Sequence, residues 1–588
     1  MADEKTGAYV DLLLGAASGR FSRRAVLKRG LALGLSTPLL LSLLEACGSS
    51  SPGTATSGTD EGGTQPTASG SAAAGASPSA GSGKQSSNKQ FVMVLTGGVP
   101  DVDPQSAYDN AASSLFFGTY EMLIRFKGSS TSEFVPMLAK SWDQNDEQTE
   151  YTFTFDPGIK FHDGSACDAQ AVKDSFTRFL KMGRGPVNVI SRFVQDPDKQ
   201  MTVVDPTTLK FTMTQPQPLF LSAMASEYGP LIVSPTAMNA HKTNDDPYAH
   251  QWFSQNMVGT GPWKVTEASP QEKFVLDRFA DFHGKPPFFD RVTVRVVTED
   301  ATRRQLIESG EVDGVAELPP DYYQEMAKNP ALQIVKYDTT ECDWVRMNYA
   351  KLSKEMRQGF CYAFPYDEVI SQVLKGFAKE QGPIADTVIG FDSSIPVYKT
   401  DLDKAKQILQ QAGVKSSDEF TYMYASGDAS DASLAQLFQA NLQQIGVKLT
   451  LQQVDRSALI SLNYGDSPPE QRPHFTSSGW WPDYNDSWNQ LYPNFHSDSV
   501  GSKGSNSSFY ENKDFDAAMD QLKNAKTLDD IKQGTGKVVK ILMWDDPAAI
   551  FYAQIIRAMN LRSDIKGFVP NGIYINSYNF NEMWREAT

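Results

Sequence analysis

Apolar side chains are distributed in three regimes along this 588-residue chain. A mixed, basic opening leads into the largely apolar stretch Gly30–Leu44, interrupted by Ser36, Thr37, Pro38 and Ser42. Residues 48–90 then hold almost only Gly, Ser, Ala, Thr and Pro, with no aromatic or large aliphatic residue, so burial cannot offset the entropy of ordering them. From Phe91 the pattern changes to short β-rich runs, Phe91–Leu95, Tyr151–Phe155 and Val292–Val297, mixed with amphipathic segments such as Asp403–Gln411. These runs predict strands and helices, hence a mixed α/β body. Turn clusters such as Asp156-Pro157-Gly158 and Gly259-Thr260-Gly261-Pro262 break the pattern without a disordered linker. Lobes of such a body are expected to exchange chain segments rather than follow one another as beads.

Length and charge narrow the picture. The chain is several times the common domain size and should be multi-lobed. A net charge of −16 with a pI near 5.0, and no Lys/Arg cluster after the first thirty residues, excludes a nucleic-acid binder and suits a cationic or zwitterionic ligand. Aromatics at 11% are enough to furnish both a core and a pocket for organic ligands. Cys47, Cys167, Cys342 and Cys361 show no two-residue spacing; pairing of Cys342 with Cys361 and burial of both as small apolar residues stay open. Histidines at 162, 241, 250, 283, 474 and 496 form no helical i, i+4 pair, so neither a preformed metal site nor a cofactor is expected. No G-x-S-x-G or HExxH pattern supports an enzyme. Gly534-Thr535-Gly536-Lys537 is not a phosphate loop, because Ile531 stands where its first Gly belongs and Val538 where its hydroxyl belongs.

The amino terminus reads as an address. Lys5, Arg20, Arg23, Arg24, Lys28 and Arg29 precede the apolar run, the order of a signal peptide. At fifteen residues the run is short of the roughly twenty that cross a bilayer. Ser22–Lys28 resembles a twin-arginine export motif with Arg23 and Arg24 as its pair. Leu44-Glu45-Ala46-Cys47-Gly48 resembles a lipobox that would acylate Cys47, with Glu45 departing from the usual small residue. We therefore expect an export signal over 1–46 and a tether over 47–90 reaching about 35–40 Å. The protein is expected outside the cell membrane, lipid-anchored or periplasmic.

From 91 to 588 the residues resemble the extracytoplasmic solute-binding proteins of ABC importers, family 5, the oligopeptide, dipeptide and nickel-binding type. The resemblance rests on Val102-Asp103-Pro104 with Tyr120–Leu123, on Tyr151–Phe155 with Gly158–Gly164 and Ala171–Phe176, and on Val258–Trp263. Gly310–Gly314, Met356–Pro383 and Leu442–Val447 continue it in order. Asp156-Pro157 departs from the family's Leu-Arg, and His162-Asp163 reads as a hydrogen-bonded turn rather than an acid–base pair. The resemblance implies a two-lobed periplasmic-binding fold with an extra domain: lobe I at 91–136, 257–340 and 541–588, an insertion at 137–256, and lobe II at 341–540. Chain crossings near 340 and 540 would form the hinge.

The stretch Ser478–Ser487 resembles the family segment that borders the ligand cleft. By that resemblance Asp483 receives a peptide's α-ammonium and Gly479–Pro482 offers an extended edge. Pro482 removes one donor from that edge, and Ser487 replaces the family's Pro. Trp480, Trp481, Tyr484 and Trp488 would form an aromatic wall, half of it core. Tyr108 and Asn110 would reach the ligand from the opposite lobe. The implied function is non-enzymatic capture of short peptides by lobe closure and delivery to an ABC permease with its ATPase subunits, by a monomer. Binders of a nickel chelate or a sugar-like solute are the alternatives.

Overall fold

The computed structural model describes residues 84–587 apart from 466 and 576. Arg23, Arg24, Cys47 and most of the expected tether lie outside the described residues. Packing against the body is already present ahead of Phe91, because the Ser86 amide donates to the Arg585 carbonyl at 2.9 Å and the Ala587 amide to the Lys84 carbonyl at 2.7 Å. The strand Gln90–Leu95 follows. Its period of two sends Phe91, Met93 and Leu95 into the main core and Val94 into a smaller core on the other face.

That strand belongs to an eleven-stranded mixed sheet. At its centre lie Leu332–Met347 and Ala549–Arg562, 16 and 14 residues long, paired antiparallel. The register between them shifts between Asp338 and Cys342 and again between Asp343 and Trp344. Gly314–Ala316 pairs with the Met559–Leu561 end, and Phe475–Trp480 pairs with the Cys342–Met347 end. Beyond the first lie Gln90–Leu95, Arg291–Val296, Lys273–Arg278 and Trp263–Ser269; beyond the second lie Glu419–Ala425 and Lys448–Val454. Two groups of strands thus sit at opposite ends of one long pair, on either side of its register break. The break is stitched by side chains: Thr339 Oγ1 donates to the Ile555 carbonyl at 2.7 Å, and Gln554 Nε2 donates to the Thr339 carbonyl at 2.7 Å. Ala549–Arg562 is mostly apolar because both of its faces are covered.

Residues between 137 and 256 carry a separate four-stranded antiparallel sheet in the order Ser141–Gln144, Glu150–Thr154, Thr208–Thr212, Met201–Asp205. The helix Ala169–Met182 packs on it, with Phe176 5.3 Å from Phe211 between ring centroids. Asp168 caps the helix by accepting from the Ala171 amide, and Gly183 closes it in the left-handed region at φ 62°. Arg178 on this helix makes a buried bidentate pair with Asp103, at 2.6 and 3.0 Å. The Asp103-Pro104 segment is therefore bolted to the insertion.

The His162-Asp163 corner is structural, as expected. Asp163 accepts from the Ser165 amide at 2.9 Å and from the Ser234 hydroxyl at 2.6 Å, while His162 Nε2 lies 2.9 Å from the Gly261 carbonyl. Burial holds the His162 pKa down at about 4. Gly259 and Gly261 are required by close approach, since a Cβ on either would meet backbone of Gly118–Tyr120. Cys167, Cys342 and Cys361 are free and buried, which settles their question for burial. Gly534–Lys537 lies within the helix Leu528–Lys540. Among the described residues no helix is long and apolar enough to cross a membrane.

Candidate functional site

The segment that follows the strand Phe475–Trp480 turns at Pro482 into the helix Ser487–Phe495, whose N-cap is Asp486. Asp483 sits in that turn, 7% exposed. Its amide donates to Asn489 Oδ1 at 2.6 Å, and Asn489 Nδ2 donates back to Asp483 Oδ2 at 3.2 Å. The Tyr108 hydroxyl donates to Asp483 Oδ1, and the Ser226 hydroxyl donates to the Asp483 carbonyl. Burial pushes the Asp483 pKa up to about 6 against the hydrogen bonds from Tyr108 and Asn489. The donors on this carboxylate are neutral, so it is desolvated without a countercharge.

Tyr108 and Asn110 come to the same place from the start of the helix Asn110–Thr119. The Tyr108 ring is 46% exposed and stands edge-on to Tyr228 at 5.1 Å, and the Tyr228 hydroxyl donates to Asn110 Oδ1 at 3.2 Å. The structure thus gathers Asp483, Tyr108 and Asn110, three residues separated by up to 375 positions.

Gly479 pairs with Asp343, and a Cβ there would run into the Asp343 carboxyl, so glycine lets that carboxyl lie over the strand. The parallel neighbour of this strand reaches only Phe475 and Thr476, which leaves Ser477–Trp480 with one unpaired edge among the described strands. Part of that edge is already taken, because Gln490 Nε2 donates to the Trp480 carbonyl at 3.1 Å. Trp480 Nε1 is buried without a hydrogen-bond partner, and Trp481 lies with its ring 5.4 Å from the Arg557 guanidinium. Pro482 is buried.

Two of the four aromatics, Tyr484 and Trp488, are taken up in packing away from Asp483. Tyr484 is fully buried, 5.9 Å from Phe193, and Trp488 stacks on Tyr492 at 4.5 Å. Both serve a clasp built on Arg192, whose Nη1 donates to the Tyr484 hydroxyl at 2.9 Å and to Asp486 Oδ2 at 2.5 Å. Arg192 Nη2 adds a bond to the Lys523 carbonyl at 2.8 Å, and its guanidinium covers Trp488 at 4.7 Å. Nearby, Asn485 Nδ2 donates to the Thr131 carbonyl at 2.8 Å.

Several polar residues went unread in the sequence. Glu227, 3% exposed, accepts from the Ser577 hydroxyl at 2.5 Å; burial pushes its pKa up to about 8, opposed by Ser577 and Arg557. Arg557 donates to Glu341 Oε2 at 2.9 Å and also pairs with Glu317. Burial, with Asp431 and Asp428 nearby, raises the Asp343 pKa to about 7. Arg557 had a readable signal, a charge inside the apolar run Ala549–Leu561. Ser226 and Asn489 had none. Among the described residues no group of three or more His, Cys, Asp or Glu is placed to hold a metal ion.

The family model "Bacterial extracellular solute-binding proteins, family 5 Middle" matches residues 133–502. The probable D,D-dipeptide-binding periplasmic protein DdpA of Escherichia coli (strain K12) is 28% identical, over 84% of this chain and 94% of its own. The ABC transporter-associated periplasmic binding protein DppA from Helicobacter pylori, solved with the peptide STSA, superposes with a TM-score of 0.72 at 23% identity, over 85% of this chain and 98% of that one. The oligopeptide-binding protein AppA from Bacillus subtilis, solved with a nonapeptide, gives 0.71 at 20% identity, over 86% and 100%. These relatives are binding proteins by name rather than enzymes, and the expected two-lobed α/β periplasmic-binding fold is the fold observed. The strand pattern, the Asp483 segment and the match over 133–502 lead to one assignment: the chain belongs to the bacterial extracellular solute-binding proteins, family 5.

Proposed function

We propose that this protein captures short peptides, di- to oligopeptides, by closure of its lobes and hands them to an ABC permease and its ATPase subunits. The observation that carries the reading is Asp483, a buried carboxylate held by neutral donors from distant parts of the chain. A ligand ammonium supplies the missing countercharge through short, strong charge-assisted bonds. The unpaired edge of Ser477–Trp480 suits an extended backbone, with Gly479, Trp480 and Trp481 beside it and Tyr108 and Asn110 opposite. The names of DdpA, DppA and AppA support a peptide as the solute. Lobes divided at residues 339–341 and 554–556, where the long strands change register, would close about that break. The second crossing then falls later than 540.

The address read at the amino terminus completes the proposal: export through Arg23-Arg24, acylation of Cys47, and a monomeric body tethered at the outer face of the membrane. Cys47→Ser should move the protein from the membrane fraction to the soluble one with ligand binding intact. Thermal-shift measurements against pooled di- to hexapeptides, sugars and metal chelates test the solute. Stabilisation by sugars or chelates alone would refute a peptide ligand. Asp483→Asn should weaken peptides with a free amino terminus about 10- to 100-fold, the loss of one charge-assisted bond, and spare amino-acetylated ones.

A further inference from the structure

Glu227 lies between two residues that grip the proposed site. On one side Ser226 holds the Asp483 carbonyl; on the other Tyr228 packs against Tyr108 and bonds Asn110. The Glu227 side chain is 3% exposed, and its Oε1 has no hydrogen-bond partner, while Oε2 accepts from Ser577 Oγ. The Ile575 amide also favours its ionised form. A nine-tenths-buried carboxyl with an idle oxygen, flanked in the chain by the residues that hold Asp483 and Tyr108, is poorly explained by packing, since a buried acceptor left unbonded is destabilising. An ammonium has three donors, and Asp483, already engaged by Tyr108 and Asn489, does not have room for all of them.

We propose that Glu227 is a second acceptor for the ligand's ammonium, so that one cationic nitrogen is held between Glu227 and Asp483. This rests on the peptide reading for its ligand and adds the residue that makes the site selective for a free amine. Charged and titratable groups that act on Glu227 are Asp483, Arg557 and the hydroxyls of Tyr108, Tyr337, Tyr574 and Tyr578. With its pKa near 8, Glu227 is mostly protonated in the empty protein at neutral pH. An arriving ammonium favours the carboxylate and expels that proton to solvent. Capture is therefore accompanied by release of close to one proton at pH 7, and affinity rises by up to about tenfold per pH unit from pH 6 to about pH 7, above which the ligand's own α-amine, with an ordinary pKa of about 7.7–8, begins to lose its proton.

The test is isothermal titration of the full-length protein at pH 7 in phosphate, HEPES and Tris, whose ionisation enthalpies differ. Ligands are a free tripeptide, its amino-acetylated form and the non-peptide amine spermidine. The wild type should release close to one proton with each free amine it binds and none with the acetylated peptide. Glu227→Gln keeps an acceptor for Ser577 and should lose both the proton release and at least tenfold in affinity for free amines, with an unchanged melting temperature. Glu227→Asp should retain the proton release. Peptide binding without proton release, or with release intact in Glu227→Gln, overturns the inference and leaves the peptide reading standing. Binding of spermidine alone, with release lost in Glu227→Gln, overturns the peptide reading and keeps the inference. Binding of neither class of amine overturns both.

Discussion

Arg192 gives the sharpest measure of lobe closure, because its partners belong to the segment 484–523 while it belongs to the insertion. In this structure its guanidinium bonds Tyr484, Asp486 and the Lys523 carbonyl, with side-chain exposures of 10% for Arg192 and 1% for Asp486. If the proposed closure is what brings these two segments together, opening separates them and returns both charges to water. Arg192→Ala then leaves Asp486 buried and uncompensated in the closed form only, whereas its N-cap bond to the Trp488 amide survives in both forms. Removing one partner of a buried pair costs about 3–5 kcal/mol. We take the lower end, about 3 kcal/mol, because Asp486 keeps that amide bond, and every 1.4 kcal/mol is tenfold in affinity. Arg192→Ala should therefore weaken a peptide that stabilises the wild type roughly 100-fold. Arg192→Lys keeps the charge but loses the fork and should fall between. Titration calorimetry reads the affinity, and small-angle X-ray scattering of the ligand-saturated protein reads closure through the radius of gyration. Binding of the Ala variant within threefold of wild type, with unchanged scattering, would show that the clasp does not distinguish open from closed.

Three further outcomes follow from the fold. Arg178→Ala removes the buried bidentate partner of Asp103, leaving it His250 and the Gln105 amide, and should cost about 3 kcal/mol in urea unfolding, with Asp103→Ala in the same background restoring part of it. Gly259→Ala forces a Cβ against the Thr119 carbonyl and should cost about 1–3 kcal/mol by the same assay; a loss below 0.5 would show that this loop yields. His162, with a folded pKa near 4 against an ordinary value near 6.5, binds its proton in the unfolded chain first. Stability should thus fall as pH drops from 6.5 toward 4, by at most about 3 kcal/mol, and His162→Gln should flatten that part of the profile.

The elements were legible where one local pattern decided them. Phe91–Leu95, a continuous apolar run of strand length, and Val292–Val297, which alternates, appear as Gln90–Leu95 and Arg291–Val296. Asp403–Gln411 appears as Leu402–Gln411 with Asp401 as its cap. Asp483, Tyr108 and Asn110 were reachable because each stands in a segment that resembles the family. Glu227 was not, since Ser226-Glu227-Tyr228 reads as an ordinary loop, and its meaning depends on Ser577, 350 positions away. Which half of the four aromatics is core was not legible, because sequence does not show that Arg192 and Phe193 arrive to cover Tyr484. The register break near 340 was near an expected crossing, but its partner at Gln554–Ile556 is set by strand pairing, which no single segment reveals.

The meeting of Lys84–Ser86 with Arg585–Ala587 has a consequence for engineering. Entry and exit of the described body lie side by side, so a short Gly/Ser bridge can join them without breaking any strand pair of the large sheet. New ends could then be opened in the exposed turn at Ser416-Ser417. Such a circular permutant would carry fluorophores at the end of the large sheet away from the joined termini, where the proposed closure would turn solute capture into an optical signal.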